Sequence, residues 1–90
     1  MDQIRIRLET ISTSFTSRSV AREVLAGMEK FGVILFDYDK VPMVGQAFAD
    51  EICRVFHNKY PNITLRETNA NEAVRFMIER AKTEARKEQE

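Results

Sequence analysis

The stretch GVILFDYDKVPMVGQAFADE, Gly32 to Glu51, decides how this chain folds. Val33-Ile34-Leu35-Phe36 is a short apolar run without alternation, the pattern of a strand covered on both faces rather than one with a wet side. Asp37 to Lys40 then turn polar, Pro42 bars an interior helical position, and from Gly45 onward Ala49, Ile52, Cys53 and Phe56 recur at helical spacing. The unit reads as strand, tight connection, helix. It predicts an α/β fold, a single small sheet, mostly parallel or mixed, flanked by three helices. The 90 residues leave room for one core, so the chain is expected to form one domain over 1–90.

Upstream, Ile4-Arg5-Ile6-Arg7-Leu8 alternates strictly, which describes a strand near a sheet edge with Ile4, Ile6 and Leu8 inward and Arg5 and Arg7 in solvent. Thr10 to Ser19 carries seven hydroxyl side chains, suited to a connection whose side chains satisfy local backbone groups, with Ile11 and Phe15 pinning it to the core. Thr16 or Ser17 is placed to cap a helix whose apolar stripe is Val20, Val24, Leu25, Met28 and Phe31, and Gly32 to end it in a left-handed cap. Met28, Met43 and Met77 are spaced as core filler.

Downstream, Pro61 ends the central helix, because the residue before a proline is biased away from helical angles, and His57 belongs to its last turn. Ile63-Thr64-Leu65-Arg66 reads as a strand. Asn69 with Glu72 resembles a capping box opening a helix that buries Ala73, Val74, Met77, Ile78 and Ala81. Beyond Ala81 the stripe stops, so 81–90 is expected to be a solvated extension that frays at Glu88 and Glu90, where acidic groups oppose the helix dipole.

Composition narrows the function classes. Apolar residues make up 43% and charged residues 31%, and the formal net charge is zero, so no general electrostatic pull toward nucleic acid or a membrane surface is expected. The apolar run at Val33 is too short to cross a bilayer and Met1-Asp2-Gln3 lacks the start of a secretory signal, which makes the cytoplasm the expected location. Cys53 is the single cysteine, a small core residue by its place on the helix. No metal or other cofactor is expected, since one histidine and one cysteine give no ligand spacing.

Asp37 and Asp39 follow the central strand, and Asp50 and Glu51 lie in the first turns of its helix. Carboxylates at such a place can hold magnesium or move protons, but they also complement a helix dipole. A glycine-rich phosphate loop and a Ser-His-Asp or Cys-His set are both absent from the sequence, so the expectation is a binding module and not an enzyme. The alternative is a small-molecule or nucleotide-binding domain using these carboxylates at the same strand-to-helix turn, with Ser17 and Arg18.

Ser17-Arg18 with Ala21, then Val33-Ile34-Leu35-Phe36-Asp37 with Val41 and Gly45, then Phe48-Ala49-Asp50-Glu51, and later Asn69, Val74 and Ile78, resemble the pattern of the STAS-like domain family. The likeness runs from about Ile4 to Arg80. That bacterial family is similar to the STAS domains of anti-sigma factor antagonists and is commonly encoded with a histidine-kinase-like ATPase. The resemblance implies a non-enzymatic regulatory domain that docks on such an ATPase. In the antagonists the strand-to-helix turn carries Asp-Ser, and the serine is phosphorylated by the partner. Here the matching positions are Gly45 and Gln46, and Gln46 cannot accept a phosphate. The expected partner surface therefore comprises Asp37, Gly45, Gln46, Phe48, Asp50 and Glu51, flanked by Ser17 and Arg18, with Phe48 as its aromatic anchor unless that ring is buried.

Overall fold

Three five-residue strands, β1 (Gln3–Arg7), β2 (Val33–Asp37) and β3 (Thr64–Thr68), lie parallel in that order in the computed structural model, which describes residues 2–88. The register sets Ile4, Ile34 and Leu65 in one row and Arg5, Leu35 and Arg66 in the next. Strand β2 is central, as the apolar run requires. Strand order equals chain order, and right-handed crossovers taken twice in the same direction put both connecting helices on the same face.

Those helices are α1 (Arg18–Leu25) and α2, which occupies residues 46–59. The third, α3 (Glu72–Glu88), packs on α2, and α2 packs on α1, forming one helical layer. Against it Ile6, Ile34 and Phe36 are buried, while Val33 and Leu35 on the opposite face are only half-buried and Arg5 and Arg66 are exposed. The expectation of a strand covered on both faces is thus corrected. Leu35 is flanked in register by Arg5 and Arg66, whose long apolar stems are suited to a half-wet site.

Local signals explain most element ends. The Ser17 hydroxyl accepts the Val20 N–H at 3.1 Å and caps α1. That helix stops at Leu25, earlier than its stripe suggested. Gly27, not Gly32, takes the left-handed conformation (φ 78°) and leads into a 3-10 turn at Met28–Lys30. Helix α2 ends before Tyr60-Pro61 as expected. The cap of α3 is Asn71, whose side-chain oxygen accepts the Val74 N–H at 2.8 Å, and not Asn69. Ala73 is exposed, and Met43 is no core filler, being 53% exposed.

Phe15 anchors the hydroxyl-rich connection by meeting Phe48 edge-on, with ring centroids 5.5 Å apart. Beside it the Gly45 N–H donates to the Phe15 carbonyl at 2.8 Å, and a Cβ on Gly45 would stand 2.9 Å from the Thr16 Cα, so only glycine fits this backbone crossing. Helix α2 is not uniform. Its α-helical start, Gln46–Asp50, runs into a π-helical segment, Glu51–Phe56, before a last α-helical turn, His57–Lys59.

The C-terminal extension is only partly solvated. Ala85 is buried and Lys82 pairs with Glu67 at 3.1 Å, so the helix packs one turn beyond Ala81. The expected fraying reaches Glu90, which lies outside the described residues. No helix among the described residues is long and apolar enough to cross a membrane.

Candidate functional site

The carboxyl end of a central parallel strand is where open α/β sheets place their binding chemistry. Here it opens with Asp37, which is 3% exposed. One carboxylate oxygen accepts the Asn69 side-chain amide and the Asp39 backbone N–H, each at 3.0 Å, and the other accepts the Arg5 guanidinium. The Asn69 bond first, then Arg5 and the Asp39 N–H, hold this carboxyl at about 2, well below the usual carboxylate range. To reach it Asn69 adopts φ 59°, a conformation asparagine tolerates better than most residues. Asp37 therefore ties β1, its own turn and the β3–α3 connection together. It presents no face to a partner.

Asp50 and Glu51 are equally engaged. Arg54 grips Asp50 with two 2.8 Å bonds, and Arg18 reaches Asp50 at 2.8 Å and Glu51 at 3.3 Å. Arg22 meets the other Glu51 oxygen at 3.3 Å. The Arg54 bonds lead in lowering the Asp50 pKa, and the bond to Asp50 leads in raising that of Arg18. Glu51 is buried, and Arg18 and Arg22 each donate to one of its oxygens, as a buried carboxyl group requires. This lattice fastens α1 to α2. Its carboxylates are occupied by guanidinium groups, an arrangement for adhesion between helices rather than for proton transfer.

Ser17, Arg18, Gly45, Gln46, Asp50 and Glu51 are brought to one side of the molecule by the crossing of Gly45 over Thr16, and Asp37 belongs to the separate cluster with Arg5 and Asn69. Phe48 is fully buried, which removes it as an exposed anchor. Two other large apolar side chains are exposed, Met43 at 53% and Phe76 at 66%. Both line a shallow groove of about 730 Å³ that runs past Gly45 and Met77. A second groove, of about 480 Å³, is lined by Arg18, Gln46, Asp50, Arg54, Arg80 and Glu84 among others, and it shares Met77 with the first. The exposed Gln46 thus stands between an apolar groove and a charged one.

Sequence reasoning passed over Phe76 and read Met43 as core filler. The signal was present for Phe76. The buried positions Val74, Ile78, Ala81 and Ala85 follow one helical stripe, and Phe76 is two residues, about 200°, away from Val74 around the helix. Met43 gives no such signal, since it belongs to a loop without a period.

Residues 18–75 match the model of a family described as a STAS-like domain of unknown function. No curated protein and no solved structure matches the chain. The matched segment runs from α1 through the first turn of α3 and ends one residue before Phe76.

Proposed function

Because this chain belongs to the STAS-like domain family of unknown function, we propose that it is a non-enzymatic regulatory module that docks on a histidine-kinase-like ATPase. The observation that carries this reading is the pairing of Met43 and Phe76, large apolar side chains held in water beside the start of α2. An exposed aromatic ring next to a groove and a rim of charge is the composition of a small interface with one anchor. Phe76 takes the role that the buried Phe48 leaves vacant. Gln46 gives the interface its second property. Without a hydroxyl it takes no phosphate, so the partner cannot release this module by phosphorylating it at that turn.

Isothermal calorimetry against a histidine-kinase-like ATPase from the same host tests the reading. Phe76→Ala removes the anchor and is expected to weaken binding by tenfold or more, about 1.4 kcal/mol at least. Gln46→Glu sets a charge where the related antagonists acquire phosphate and is expected to weaken binding as well. Circular dichroism and Tm should stay near those of the parent, since both side chains are exposed. Unchanged affinity in both variants refutes the proposed surface.

A further inference from the structure

Leu65 shares a register row with Ile34, yet Ile34 is fully buried and Leu65 only half-buried. Strand β3 lies at an edge of the sheet, and α2 and α3 leave part of its inner face open. The opening is a cavity of about 300 Å³, floored by Leu65 and walled by Ile52 and Cys53 of α2 and by Ile78 and Ala85 of α3. The four wall residues are buried, so the depth of the cavity is apolar. Its rim is different. His57 and Lys82 there are half-buried, Arg86 is exposed, and Glu67 is the one carboxylate among them. Glu67 accepts from Lys82 at 3.1 Å and so cancels one of the two cationic side chains. Arg86 is left with a 3.5 Å contact to the Thr83 hydroxyl, and the His57 ring makes no hydrogen bond among the described residues.

We propose that this cavity binds a small carboxylate with an apolar body, a single-ring or short branched organic acid, whose body lies between the walls and whose anion meets Arg86 beside His57. An uncharged ligand would use the walls and nothing of the rim. The guanidinium fork matches a carboxylate in two parallel hydrogen bonds, and apolar surroundings strengthen such a pair. A volume of about 300 Å³ is at the small end of ligand pockets and admits one ring or a short branched chain. Ala85 keeps that volume free, since a larger side chain there would enter it. Ile52 and Cys53 belong to the π-helical segment of α2, and such wide turns often mark functional sites. Binding is non-covalent. Burial pushes the Cys53 thiol up to about 12, so it is not a thiolate at neutral pH. The cavity shares no lining residue with either groove beside Gln46, so the site stands or falls independently of the docking surface.

Phenylacetate and phenylacetamide, alike in shape and different in charge, are suitable probes for a titration at neutral pH followed by amide and methyl NMR on the intact chain. Saturable phenylacetate shifts are expected at Ile52, Cys53, Leu65 and Ile78, with phenylacetamide about tenfold weaker, the order expected for a hydrogen bond to a charged group. Arg86→Gln, at an exposed position, should erase most of that preference and leave phenylacetamide binding unchanged. Ala85→Leu should fill the cavity and abolish binding of both. The proposal is overturned if phenylacetate gives no saturable shifts at these residues, if acid and amide bind the parent equally, if Arg86→Gln keeps the full preference, or if a folded Ala85→Leu variant still binds the acid.

Discussion

On one face of the sheet Ile34 and Phe36 are sealed into the helical core, whereas on the other Leu35 stands half-buried between two exposed arginines. All three belong to one apolar run on one central strand. The difference comes from the order of the strands. Because β1, β2 and β3 lie side by side in chain order, each right-handed crossover lands on the same face, and coverage of both faces would need the order to reverse. Hydrophobicity places a strand at the centre of a sheet, but topology decides how many of its faces are dry.

The sharpest way to break this comparison is to put a charge on each face in turn. Ile34→Asp should abolish cooperative unfolding, because an unpaired carboxylate in the core costs more than the ~5 kcal/mol at the low end of domain stability. Leu35→Asp should still fold, with Tm lowered by about 5 °C, a loss on the order of 1 kcal/mol partly offset by the neighbouring Arg5 and Arg66. Thermal melts of both variants by circular dichroism decide it. Two unfolded variants would mean that the outer face is covered as well.

Between these extremes stands Gly45→Ala, which acts on the covered side through the strap that holds Phe15 over Phe48. The added Cβ meets Thr16 backbone, which cannot swing aside as a side chain can, so a loss of about 2 kcal/mol is expected in urea unfolding. A neutral result would show that the strap yields.

The smallest effect is a matter of pH and sharpens the reading of the outer face, where Arg5 reaches Asp37. The folded-state pKa of Asp37 is depressed from an ordinary 3.8 to about 2, so its contribution to stability is present above pH ~4 and is lost as pH falls through about 2. Asp37→Asn should therefore lose less stability than the parent over that window when Tm is followed against pH. Parallel pH profiles would show that Asp37 does not titrate with folding.

Much of this was legible in the residues themselves. The alternation at Ile4 to Leu8, the cap at Ser17 and the stop before Pro61 are local signals, and local geometry obeys them. The burial of Phe48 was legible too, since it stands four residues before Ile52 and eight before Phe56 on the same stripe. The choice of Asn71 over Asn69 as a cap was not. Asn69 is drawn away by Asp37, a residue 32 positions earlier, and no local pattern carries that contact. Ala85 escaped for another reason. A single small residue amid charges has too little hydropathy to announce that it is buried. The site shares this division, because the charged lattice could be placed near α2 from sequence, while its saturation by Arg18, Arg22 and Arg54 depends on how α1 and α2 cross.

The π-helical segment makes one count of residues matter more than their kinds. A wide turn holds an extra residue compared with an α-helical path, so the part of α2 after Phe56 is turned by roughly 100° from where an uninterrupted helix would carry it. The early half can then aim Asp50 at Arg18 while the later half brings the Phe56 ring to Tyr60, 4.9 Å between centroids, as the chain turns toward β3. Exchanging side chains within Glu51–Phe56 leaves this offset in place. Deleting one residue there would cancel it, and the two halves could no longer face their own neighbours at once.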